Sequence, residues 1–275
     1  MNLPMESSLR LFPEQWLDAS EVKEVPIKGY VANSVLVDEN RVYVTSGSNG
    51  GLTVMSRDNL NDSKMYGLTG ARWVDIDGDR LAMAVGSETG EDGELVVANM
   101  FNLDSMLYFD VKGMNLPEAK STVDLYKDYA FVAAGPTGVQ VHSLATGKAI
   151  GEVKPDITNA ATERFVANAA SVDQIGSKEY LFLANGEGVY AAEFAVEDEN
   201  FSHQMLGKLN FEAAESINHV LVTDKYLILA AGLEGVYILS VEDKSEPVPE
   251  PLAKCGPNDI INGSFESNPI RDNTY

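Results

Sequence analysis

The sequence is short of cysteine, histidine and basic residues, and each shortage excludes a class of protein. Cys255 is the single cysteine among 275 residues, so the chain can form neither an internal disulfide nor a thiolate zinc cluster. The chain has 20 basic and 42 acidic residues, which give a net charge of −22. Such a charge repels phosphate backbones and anionic lipid. The sequence therefore predicts no nucleic-acid binding, and solubility is the simplest role for its charge.

Long hydrophobic runs and helical apolar stripes are also missing. The longest apolar run, residues 226–241, is interrupted by Gly232 and Glu234, which indicates two strands and a turn rather than a membrane helix. No stretch of 12 or more residues keeps the apolar spacing of an amphipathic helix, which excludes an α/β class. The first residues lack the basic start and apolar run of a signal peptide, which predicts a cytoplasmic protein if the chain is intact.

What the sequence does contain is a module of about 48 residues that occurs five times. The first strands of the copies start 39, 49, 49 and 48 residues apart, at Val35, Val74, Val123, Val172 and Val220. Each copy continues with a polar turn, a second strand, a glycine turn and a third strand. More polar fourth strands are predicted at residues 64–68, 106–112, 149–153 and 205–210. Four strands per module predict an all-β protein, a β-propeller of five four-stranded blades.

The two ends of the repeat region indicate how the ring closes. Residues 17–29 resemble residues 103–113, which hold the fourth strand of copy two, whereas three prolines in residues 247–251 spoil the fourth strand of copy five. We therefore expect an N-terminal outer strand to close the ring. Residues 1–17 are then an extension, 18–246 the propeller, and 247–275 a Pro-rich linker with the start of a further module. A six-bladed ring, with residues 8–12 as a remnant of the additional blade, is the alternative.

The repeat also resembles a known family. Residues 123–141 and 220–238 follow the pattern Val-x-Val, polar turn, Tyr, an apolar strand, two glycines and Val-x-Val, which is similar to the LVIVD-repeat family of bacterial propellers. The resemblance spans residues 30–245 and implies a secreted or surface protein of binding type, with no catalytic residues to carry over. Copy two departs from the pattern, because a long acidic turn replaces its compact glycine turn.

The C-terminal tail carries a second, shorter resemblance. Residues 258–266 (Asn-Asp-Ile-Ile-Asn-Gly-Ser-Phe-Glu) look like the opening strand of carbohydrate-binding-like jelly-roll modules of secreted bacterial proteins. This resemblance implies that the natural protein is exported and continues past Tyr275. A disordered acidic tail is the alternative reading.

A ligand site is expected where the innermost strands begin, because these strands all start beside the axis on one face, here called the top face. The residues just before the aligned valines that we take as ligand candidates are Asn33, Arg72, Trp73, Ser121, Asn218 and His219. A guanidinium, an indole and an imidazole among polar groups suit sugar hydroxyls, a carboxylate or a peptide. Channel packing around buried water explains the same pattern without a ligand.

The acidic turn of copy two, residues 87–94, is the candidate cation site, and calcium is its candidate ion. Four carboxylates concentrate there, on Glu88, Glu91, Asp92 and Glu94. Residues 75–79 (Asp-Ile-Asp-Gly-Asp) also resemble the start of a calcium loop. They align with the first hairpin turn of the other copies, however, and lack the glutamate expected at the twelfth position. For the acidic turn, a solvated loop tip is the alternative.

These features favour a noncatalytic binding or interaction propeller of an exported bacterial surface protein, whose partner is a protein, a peptide or a glycan. A propeller hydrolase or lyase that uses His219 with Arg72 is one alternative, and a structural spacer or self-assembling surface unit is another. Signals of catalysis are few, since the three histidines lie in different copies and no Gly-x-Ser-x-Gly elbow occurs.

Overall fold

The strand–turn–strand modules fold into separate antiparallel sheets, one for each copy of the repeat. The computed structural model describes residues 25–29, 31–87, 89–90, 92–114, 120–155, 165–186, 188–210, 217–223, 225–232 and 235–241. Within these ranges no α-helix occurs, and so no helix long and apolar enough to cross a membrane is found.

Four sheets have four strands each, and the fifth has three within the described ranges. Blade 1 contains β1 (Ser34–Val37), β2 (Arg41–Thr45), β3 (Gly51–Ser56) and β4 (Ser63–Gly67). Blade 2 contains β5 (Ala71–Asp77), β6 (Arg80–Val85), β7 (Gly93–Asn99) and β8 (Asn102–Val111). Blade 3 contains β9 (Val123–Tyr126), β10 (Tyr129–Ala133), β11 (Val139–Ser143) and β12 (Ala149–Val153). Blade 4 contains β13 (Ala169–Ile175), β14 (Lys178–Asn185), β15 (Gly188–Glu197) and β16 (Asn200–Asn210), and blade 5 contains β17 (His219–Val222), β18 (Tyr226–Ala230) and β19 (Val236–Ser240).

Successive blades pack through their innermost strands, β1 against β5, β5 against β9, β9 against β13 and β13 against β17. Strands within each blade follow chain order, so every connection is a hairpin. This arrangement confirms the predicted all-β, five-bladed propeller.

Apolar side chains that alternate along the strands fill the spaces between successive blades. Tyr43 of blade 1 meets Leu81 of blade 2 in one such core, and both are completely buried. Between blades 3 and 4, the ring of buried Phe131 lies 5.0 Å from the ring of Phe194. Burying one such side chain contributes about 2–3 kcal/mol, so the blade interfaces are the main source of stability.

Polar side chains tie innermost strands to the next blade and hold the top face in place. A carboxylate oxygen of Asp75 accepts a hydrogen bond from the Leu125 amide at 2.7 Å, and one of Asp124 accepts from the Val172 amide at 2.7 Å. At the top face, the Asn168 side-chain amide donates to the Ile217 carbonyl at 3.0 Å. These bonds fix the spacing of the strands on which the candidate ligand residues lie.

The predicted closing strand lies mostly outside the described residues, which begin at residue 25. Val25 and Ile27 are half-buried and alternate with the exposed Pro26 and Lys28, the period expected of a strand. The Ser46 hydroxyl donates to the Lys28 carbonyl at 2.8 Å, just as the Thr137 hydroxyl donates to the Lys112 carbonyl at 3.0 Å where β8 ends. Lys28 thus occupies the position that Lys112 has after the fourth strand of blade 2.

The predicted N-terminal extension, the Pro-rich linker and the start of a further module lie outside the described residues, and their boundaries stay predictions. Among the described residues, the faces of blades 1 and 5 that point toward each other remain partly open. Val35 of β1 is 62% exposed and Leu221 of β17 is 46% exposed, whereas Val123 and Val220, at positions equivalent to Val35, are buried.

Candidate functional site

The start of β5 differs from the other innermost strands by a local irregularity at Arg72. The pairing of β5 with β6 shifts between Ala71 and Trp73, so Arg72 is an extra residue of the bulge type. The innermost strands of the other blades pair with their neighbours without such a shift. A bulge turns a side chain away from its regular direction, and bulges are frequent beside functional sites.

The Arg72 guanidinium lies across the boundary between blades 2 and 3. Its Nη1 donates to the Ser121 hydroxyl at 3.2 Å. Beneath it lies Gly86, where a Cβ atom would come within 2.1 Å of the Arg72 Cζ atom. Arg72 therefore lies against Gly86, where any larger side chain would push the guanidinium aside, and it is half-buried.

Trp73 and His219 meet across the ring axis, although they belong to the non-adjacent blades 2 and 5. Their ring centroids are 4.6 Å apart and the ring planes are tilted by 36°. The His219 Nδ1 atom is buried and has no hydrogen-bond partner among the described residues. Burial lowers the pKa of His219 below its usual value of 6.5, so the imidazole is neutral at pH 7. A neutral imidazole beside an indole can accept or donate one hydrogen bond to a bound molecule.

The other predicted ligand residues also lie at the top face, with separate partners. Ser121 is completely buried and has a φ of 50°, a left-handed conformation that costs about 1–3 kcal/mol in a residue other than glycine. The Asn33 side-chain amide donates to the Ala71 carbonyl at 3.1 Å, the counterpart of the Asn168 contact between blades 4 and 5. Asn218 is half-buried directly before His219. The structure thus forms two separate pairs, Arg72 with Ser121 and Trp73 with His219. Asn33 instead links blade 1 to blade 2.

Two of the four predicted calcium ligands, Glu88 and Glu91, lie outside the described residues. Asp92 accepts a hydrogen bond from the Gly113 amide at 2.9 Å, which ties the acidic turn to the end of the fourth strand. Glu94 lies on β7 opposite Asp110 of β8. Among the described residues no group of three or more His, Cys, Asp or Glu side chains is arranged to hold a metal ion. Calcium at this turn stays a prediction.

The sequence reasoning missed two half-buried carboxylates of the innermost strands, Asp75 and Asp124. Burial raises the pKa of Asp124 to about 7, with a further contribution from the charge of Asp75, and burial also raises the pKa of Asp75. The signal was present as a repeated Val-Asp pair in copies two, three and four. The hairpin-turn interpretation of residues 75–79 covers Asp75 alone, whereas the Asp75 and Asp124 side chains both accept hydrogen bonds from the next blade.

No protein-family model matches the sequence, and no curated protein is significantly similar to it. Solved structures with the same kind of fold include the WD40 repeats of RRP9, with a TM-score of 0.53, 11% identity, and coverage of 71% of this chain and 58% of that chain. BamB from Moraxella catarrhalis has a TM-score of 0.50 and 14% identity, and the alignment covers 78% of this chain and 58% of that chain. The computationally designed Ika8 protein has a TM-score of 0.51 and 10% identity, with coverage of 75% of this chain and 57% of that chain.

This chain thus spans less than three fifths of the length of the propellers it is aligned with. At such low identities the likeness concerns the fold alone. Together with the five blades described above, it shows that the chain is a β-propeller.

Proposed function

We propose that this protein is a noncatalytic binding propeller that holds its ligand at the centre of the top face. The observation that carries the proposal is the contact between Trp73 and His219, which joins the non-adjacent blades 2 and 5 at the top face. The bulge at Arg72, the residue before Trp73 in the chain, adds a guanidinium at the same end of β5, on a rigid scaffold.

The chemistry of these groups favours a ligand that presents a carboxylate or hydroxyl next to an apolar face. The Arg72 guanidinium carries a positive charge and a planar set of N–H donors, which suit a carboxylate or a hydroxyl oxygen. The neutral His219 contributes one hydrogen bond, and a buried nitrogen without a partner costs about 1–3 kcal/mol until a ligand or water satisfies it. Trp73 supplies apolar area at a low entropic cost.

We propose further that the protein is an exported member of the LVIVD-repeat propellers, with a protein, peptide or glycan partner at the bacterial cell surface. The repeated pattern in residues 123–141 and 220–238 and the module-like tail at residues 258–266 support this proposal. Calcium at the acidic turn, residues 87–94, is part of the same proposal.

The test is a screen of peptide and oligosaccharide arrays with the wild type and three variants. Arg72→Gln removes the guanidinium charge, and Gly86→Ala leaves Arg72 in the sequence but pushes its side chain aside. Arg80→Gln is the matched control, because Arg80 lies at the far end of the β5–β6 hairpin and pairs with Asp77 and Asp128. We expect at least one ligand of the wild type to bind both site variants at least about tenfold more weakly and the control equally well. If no ligand of the wild type binds the two site variants more weakly than it binds the control, the site is dismissed.

A further inference from the structure

A second concave site lies between blades 1 and 2 on the bottom face, opposite the predicted one. The cleft has a volume of about 520 Å³, within the range of small-molecule sites. Its walls are formed by residues around the β3–β4 connection of blade 1 and the β7–β8 turn of blade 2. None of the predicted ligand residues lines it.

The floor of the cleft is apolar and its rim is aromatic on both sides. Met55 and Leu103 are buried at the base. Tyr66 is half-buried on the blade 1 side, and Phe101 on the β7–β8 turn of blade 2 is 75% exposed. A phenyl ring left this far in water at the edge of a cleft is a surface that a ligand with an apolar face would cover.

The polar part of the rim consists mainly of hydrogen-bond acceptors. The Asp58 and Asp62 carboxylates are exposed and form no ion pair with another described residue. The two cations that line the cleft, Lys64 and Arg41, both have partners. The Lys64 ammonium forms an ion pair with Asp104 at 2.5 Å. The Arg41 guanidinium donates to the Met100 carbonyl at 2.9 Å, which ties the two blades together at the cleft.

We propose that this cleft binds a neutral oligosaccharide. A sugar ring has an apolar face of C–H groups that packs on an aromatic ring, and an edge of hydroxyl groups that donate to carboxylate and amide oxygens. This division matches the exposed Phe101 ring and the acceptors of Asp58, Asp62 and Asn102. A cationic peptide fits less well, because Lys64 already lies 4.5 Å over the Tyr66 ring and neutralises Asp104. The cleft is separate from the top-face site, so the two proposals stand or fall independently.

The experiment uses the full chain and two neutral tetrasaccharides, one of β-1,4-linked glucose and one of β-1,4-linked N-acetylglucosamine, with tetralysine as the cationic probe. Binding is measured by NMR shift perturbation. We expect at least one tetrasaccharide to bind with a Kd of about 1 mM or tighter. Phe101→Ala and Asp62→Asn should each weaken it by about tenfold.

Tyr108→Ala is the matched control, since Tyr108 is an aromatic residue of β8 that is 52% exposed but does not line the cleft. It should bind as the wild type does, and so should Arg72→Gln, because Arg72 belongs to the top face. Both Phe101 and Asp62 are exposed, so their variants should fold normally, which unchanged urea unfolding would verify. No tetrasaccharide binding, binding insensitive to Phe101→Ala, or tetralysine binding in place of sugar would each overturn the proposal.

Discussion

Replacing Asp124 with asparagine is expected to stabilise the protein at neutral and alkaline pH. The side chain is half-buried on β9, where an oxygen accepts a hydrogen bond from the Val172 amide at 2.7 Å. Asparagine keeps an oxygen for that bond and removes the charge. Burial raises the pKa of Asp124 to about 7 in the folded protein, against 3.8 for an ordinary aspartate.

The sign of the effect follows from proton binding. Between pH 3.8 and about 7 the folded state holds a proton on Asp124 that the unfolded state has lost, so stability falls as the pH rises through this window. One pKa unit corresponds to about 1.4 kcal/mol, so the accumulated cost above pH 7 reaches about 4 kcal/mol. The variant lacks this cost. Its advantage over the wild type should therefore be small at the acid end, grow through the window and then level off.

Urea unfolding of both proteins at a series of pH values measures this difference directly. Asp173→Asn is the matched control, because Asp173 has the same position in blade 4 but accepts from the amide of its neighbour Gln174 at 2.7 Å. The unfolding free energy of the control should change with pH in the same way as that of the wild type. A difference between Asp124→Asn and the wild type that does not change with pH would refute the reasoning, as would a wild type that gains stability over the variant as the pH rises.

Two further predictions concern how the blades are joined. Gly113→Ala should lower the unfolding free energy by about 1–3 kcal/mol more than Gly78→Ala, since both glycines have positive φ but a Cβ atom at Gly113 would lie 2.5 Å from Thr137. Equal losses in urea unfolding would show that the contact with Thr137 is unimportant. Ile27→Asp should destabilise by about 1–3 kcal/mol whereas Lys28→Asp should have little effect, because Ile27 is half-buried and Lys28 exposed. The opposite order would contradict the assignment of residues 25–28 to the end of a closing strand.

The strands that local pattern determines were predictable from the sequence. β12 was predicted at residues 149–153, as the structure has it, because polar turns bound a short alternating segment on both sides. β8 was predicted from residue 106 but begins at Asn102. The reason is a two-residue turn at Met100 and Phe101, which lets β7 and β8 pair almost to their ends and carries no glycine signal.

The candidate site was predictable in its location and not in its contacts. Convergence of residues 72, 73, 121 and 219 follows from repeat period and ring geometry alone. The bulge at Arg72 depends on how β5 pairs with β6, and the contact of Trp73 with His219 depends on how far two side chains reach across the axis. The bulge is a detail of register within one hairpin, and the contact joins residues more than a hundred positions apart, so neither leaves a mark in a single sequence.

The central claim is that residues from separate blades meet at the top face, and the contact between Trp73 and His219 tests it most directly. With two tryptophans and three histidines in the chain, the indole and imidazole protons are readily assigned by NMR. Ring centroids 4.6 Å apart predict strong NOE cross-peaks between Trp73 and His219, and burial predicts a His219 pKa below 6.5. If no such cross-peaks are found and His219 titrates at its usual value, the top-face site does not exist in the form described.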